Sequence, residues 1–119
     1  MSLPGWEGPE LHPFRLKVGT LGMEAHRLDV HMAREQGELV YFHIALKTMS
    51  GSPIYREVVE MWSEEGSLWR REHCRTADPG IPRQVGPIAP GSLEDVYTRT
   101  AEALAETQLS AELTRWQDA

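Results

Sequence analysis

Residues 24–48 read Glu24-Ala-His-Arg-Leu-Asp-Val-His-Met-Ala-Arg-Glu-Gln-Gly-Glu-Leu-Val-Tyr-Phe-His-Ile-Ala-Leu-Lys-Thr48. A β-strand sends successive side chains to opposite faces, so a half-buried strand shows a period of two. Leu28, Val30 and Met32 alternate with Arg27, Asp29 and His31; Val40, Phe42, Ile44 and Leu46 alternate with Tyr41, His43, Ala45 and Lys47. Between these runs, Glu35-Gln36-Gly37 has the form of a three-residue hairpin loop closed by a left-handed glycine. The stretch predicts a β-hairpin with Arg34 opposite Glu38. Counting back pairs Met32 with Val40, Val30 with Phe42, Leu28 with Ile44 and His26 with Leu46. On the other face His31 meets Tyr41 and Asp29 meets His43.

Working outward, Phe14, Leu16 and Val18 alternate with Arg15 and Lys17, a short strand ending near Gly19 with a turn at Gly22. On the other side, residues 54–63 and 67–76 flank Glu64-Glu65-Gly66. The same loop logic predicts a second hairpin with Ser63 opposite Ser67, Glu60 opposite Arg70, Glu57 opposite His73 and Tyr55 opposite Arg75. Neither face of that hairpin is purely apolar under this register, which calls for a bulge or for partial cover on both sides.

Residues 77–92 carry Pro79, Gly80, Pro82, Gly86, Pro87, Pro90 and Gly91, and read as an extended strap outside the sheet. Ser92 is a suitable N-cap, and Glu94 and Asp95 place negative charge at the positive end of a helix over 93–117. Leu93, Val96, Tyr97, Ala101 and Leu104 share one face of it. Leu109, Leu113 and Trp116 project to nearly the opposite side, which implies a bend near Gln108 or a stripe gripping a partner subunit. Residues 1–13 read as an irregular tail with Trp6 pinned to the body. The fold class is therefore α+β: a curved antiparallel meander sheet of about five strands with a C-terminal α-helix packed across one face, in one domain.

The 119 residues carry a formal net charge of −6, which weighs against a general nucleic-acid or anionic-membrane binder. No apolar run approaches a membrane span or a signal-peptide core. Cys74 is the one cysteine, so no internal disulfide forms, and a cytoplasmic location is expected. Walker, Rossmann, nucleophile-elbow and zincin patterns are absent. His73 and Cys74, as strand neighbours, face opposite ways and make no dyad.

The expected function is a non-catalytic binding or assembly module that partners itself as a homodimer, through a sheet face or Leu109, Leu113 and Trp116. The alternative is a small-ligand or simple enzymatic pocket between sheet and helix, using His26, Tyr55, Glu57 and His73; an imidazole beside a carboxylate titrates near neutral pH. Ordinary cross-strand pairing accounts for the same residues. A further alternative sets Trp69, Arg71 and Arg75 in a row that stacks and neutralises single-stranded nucleic acid. Pairing of that row with the acidic helix explains it equally well. Asp29, His31, Tyr41 and His43 share the outer hairpin face, but their spacing is nonspecific for a metal, and no metal or cofactor is expected.

Overall fold

In a computed structural model, residues 3–21, 24–50, 56–73 and 80–117 are described, with side chains for 3–16, 26–48, 58–73 and 80–106. Six strands, β1 (Phe14–Leu21), β2 (Glu24–Glu35), β3 (Glu38–Ser50), β4 (Arg56–Glu64), β5 (Ser67–Glu72) and β6 (Arg83–Pro87), precede the helix α1 (Leu93–Gln117). The strands form one antiparallel sheet in sequence order, and α1 lies against β1 and β3 on one face. The α+β meander with a helix across it is the architecture the alternation implies.

The predicted registers are corrected in an instructive way. The first loop contains two residues: Glu35 pairs with Glu38, and Gln36 and Gly37 both have positive φ, 52° and 82°. Two consecutive left-handed residues make the tight hairpin turn whose twist matches that of its strands. A bulge then skips Val40, so that Ala33 pairs with Tyr41 while Arg34 pairs with Leu39. Met32 consequently meets Phe42, Val30 meets Ile44, Leu28 meets Leu46 and His26 meets Thr48. Loop and bulge together displace the predicted pairing by two residues. The even shift leaves Leu28, Val30, Met32, Phe42, Ile44 and Leu46 on their expected face, but at the bulge Leu39 enters the core and Val40, expected there, is turned out at 39% exposure.

The second hairpin also turns on two residues, Glu65 (φ 50°) and Gly66 (φ 74°), but no bulge compensates. Ser63 pairs with Leu68, Trp62 with Trp69 and Glu60 with Arg71, one residue away from the predicted partners. An odd shift transfers all of β5 to the other face. The mixed faces are thereby resolved: Val59, Met61 and Leu68 turn toward the helix, and Glu60, Trp62, Trp69 and Arg71 turn away.

The expected strap also contains a strand. Residues 83–87 form β6 on the edge of β5, with Gln84 Nε2 donating to Ser67 Oγ at 2.7 Å. An edge strand needs backbone donors on one side only, which is why Pro87 is tolerated there.

Leu28, Val30, Phe42, Ile44, Leu46, Val59 and Met61 form the helix-side core, joined by Leu104 of α1. Leu93, Val96, Tyr97 and Ala101 complete the contact, with the Tyr97 ring edge-on to Phe42 at 5.7 Å. Ser92 stands at the N-cap, its carbonyl accepting from Val96 N, while its hydroxyl turns back to Ala89 O. Arg34, at the end of β2, grips Glu94 with two hydrogen bonds of 2.7 and 2.8 Å and ties the helix start to the first hairpin. The helix is continuous to Gln117; the side chains of Leu109, Leu113 and Trp116 lie outside the described residues.

Candidate functional site

The polar face of the sheet, turned away from α1, is buried as well. Residues 3–13 have no helix or strand and run across it. Trp6 lies on Tyr41 with ring centroids 5.1 Å apart, and the Tyr41 hydroxyl donates to Pro4 O at 2.7 Å. Burial, followed by the nearby Glu60 and Glu64 carboxylates, pushes the Tyr41 phenol upward, so it remains a donor. Between this segment and the sheet lies an open cleft of about 1610 Å³.

The cleft floor follows directly from the register. Asp29, Ala45, Glu60 and Arg71 stand side by side on β2, β3, β4 and β5. One step along the strands come His31, His43, Trp62 and Trp69; one step the other way come Arg27 and Lys47. Ala45 is thus a notch in the middle of a ring of long polar side chains.

Two ionic clusters flank the notch. Glu60 accepts from His43 Nε2 on one oxygen (2.7 Å), and from His73 Nε2 (2.5 Å) and Arg71 (2.8 and 3.0 Å) on the other. Burial would raise its carboxyl pKa, but the hydrogen bonds from His43, Arg71 and His73 overcome that and hold it at about 2. Glu60 therefore stays ionised, with an Nε2 hydrogen of each imidazole directed at it. Asp29 is met by Lys47 at 2.8 Å, Arg27 at 3.1 Å and Arg15 at 3.9 Å. His31 sits edge-on to His43 at 5.6 Å; burial, then the His43 charge, lowers its pKa against the opposing pull of Asp29. The Nδ1 atoms of His31 and His43 are buried without a protein partner. An unsatisfied buried polar atom costs about 1–3 kcal/mol unless something else reaches it.

The structure separates the residues grouped by the sequence. His26 is buried on the helix side, its Nδ1 on Thr48 Oγ1 at 2.9 Å, whereas the His73 imidazole is on the opposite face with Glu60. Tyr55 and Arg75 lie outside the described residues, as does the Glu57 side chain. Along the backbone Glu57 pairs with Lys47 across β3, and His73 N donates to Val58 O. The carboxylate beside His73 is Glu60, which the one-residue error in register had placed on the wrong face. Reading Glu65-Gly66 as a two-residue turn would have found it.

Of the basic row, Arg71 is neutralised by Glu60 on the neighbouring strand; Arg70, on the other face, pairs with Glu72 on its own strand. Arg71 thus takes its partner from the sheet and not from the acidic helix. Trp69 rests against Glu64, donating its indole hydrogen to the carbonyl at 3.3 Å. Asp29, His31, Tyr41 and His43 do share one buried face, but among the described residues no group of three or more His, Cys, Asp or Glu is placed to hold a metal ion. Among the described residues, no helix is long and apolar enough to cross a membrane. No protein-family model, curated protein or solved structure matches this chain.

Proposed function

We propose that the chain is a binding module for a small polar molecule, held in the cleft between residues 3–13 and the polar face of the sheet. The observation that carries this reading is the pair of buried imidazole nitrogens, His31 Nδ1 and His43 Nδ1, without a hydrogen-bond partner in the protein, on two histidines that line the cleft. A packed sheet face normally satisfies its buried polar atoms, and clefts with a few convergent polar groups are the usual setting for small ligands. This cleft is on the side of the sheet away from the helix and contains His43 and not His26; a smaller cleft of about 780 Å³ lies between sheet and helix.

A fragment screen followed by ¹H–¹⁵N and imidazole NMR tests the reading. Bound fragments are expected to shift His31, His43 and the amides around Ala45 together and to saturate. A screen in which no fragment saturates these resonances overturns it.

A further inference from the structure

We infer that the cleft takes an anionic group, a carboxylate or a phosphate, seated over Ala45 against Arg27, Lys47 and Arg71. The inference rests on the cleft being the binding site and adds the charge of what it binds.

The two carboxylates of the floor are sealed: the side chains of Asp29 and Glu60 are 4% and 5% exposed. The cations on them are not, for Arg27, Lys47 and Arg71 keep 20%, 23% and 24% exposure and the His73 side chain 16%. The negative charge of the floor is therefore beneath its N–H donors; Glu7, Glu10, Glu64 and Glu65 line the cleft elsewhere. Partial desolvation strengthens such donors toward an anion, and guanidinium groups suit carboxylate and phosphate geometry.

The cleft is also polarised along its length. By register Arg27 and Lys47 lie toward one end and Glu64 and Glu65 of the second hairpin turn lie at the other, while Glu7 and Glu10 of the covering segment also line the cleft. The acidic end directs an anion away from Trp6 and Tyr41 and toward the notch. Ala45, whose side chain is a single methyl group, lines the cleft at 2% exposure, between Lys47 and His43 along β3 and Asp29 and Glu60 across it.

The experiment titrates the full chain with inorganic phosphate and, separately, with succinate, using chloride at matched ionic strength as the control. Saturable shifts at Ala45, Lys47 and the Arg71 Nε–H are expected with either anion and not with chloride. The stronger of the two identifies the headgroup chemistry. Lys47→Met and Ala45→Leu, checked for folding by their amide spectra, are each expected to weaken binding about tenfold or more, the worth of one charge-assisted contact. Shifts that match those of chloride, or an affinity unchanged in both folded variants, overturn the inference. If neutral or cationic fragments saturate the same resonances while phosphate and succinate do not, the cleft remains the binding site and the anion assignment falls.

Discussion

Glu60 concentrates the electrostatics of this protein in one side chain. A buried carboxylate is costly unless its lone pairs are filled by donors, and three side chains from β3, β5 and the residue after β5 supply them here. Because its folded-state pKa, about 2, is below the ordinary 4.5, its contribution to stability is complete above pH 4.5 and is lost as the pH falls toward 2. A shift of that size corresponds to about 3 kcal/mol. Denaturant unfolding at a series of pH values should show this decline in the wild type. Glu60→Gln should be less stable by roughly 3 kcal/mol at pH 7, with a flatter acid limb. A variant as stable as the wild type at neutral pH would mean that the cluster does not hold the polar face together.

At the scale of elements, the two hairpin turns set everything above them. Gly37 and Gly66 are both left-handed, at φ 82° and 74°, and an added Cβ would meet nothing within 4 Å at either. The cost of alanine there is purely conformational, about 1–2 kcal/mol each, and should appear as a lower urea midpoint with an unchanged slope. Gln36→Asn should raise the midpoint slightly, because asparagine tolerates the left-handed region better than glutamine. Both hairpins were visible in the alternation and in the glycines. Their registers were not, since a three-residue loop and a two-residue turn with a bulge leave the same apolar pattern. In the first hairpin the two displacements added to an even number, so only Leu39 and Val40 at the bulge changed face. In the second it moved Trp69, Arg71 and His73 to the other face and hid the link to Glu60.

For the whole molecule, one sheet separates two differently built interiors. The helix side is apolar, and α1 closes it with Leu104, 4% exposed, as its one fully buried aliphatic anchor among the described residues. Leu104→Ala should cost roughly 2–4 kcal/mol and increase binding of a hydrophobic dye as the helix loosens from the sheet. A loss below about 0.5 kcal/mol, the level of a surface substitution, would show that the helix is not held there. The other interior is polar, covered by a segment with no hydrogen-bonded secondary structure of its own, and is the setting of the candidate site.

By itself the sequence determined the first five strands, the helix and the faces of the first hairpin away from its bulge, because hydrophobic periodicity is a local property written along the chain. Tertiary structure alone decided that residues 3–13 roof the polar face, that Arg83–Pro87 extend the sheet, and that His43, His73 and Arg71 converge on Glu60. Those contacts join residues 11 to 37 positions apart, or depend on a register defined by turn geometry. Neither kind of information is carried by the spacing of apolar residues.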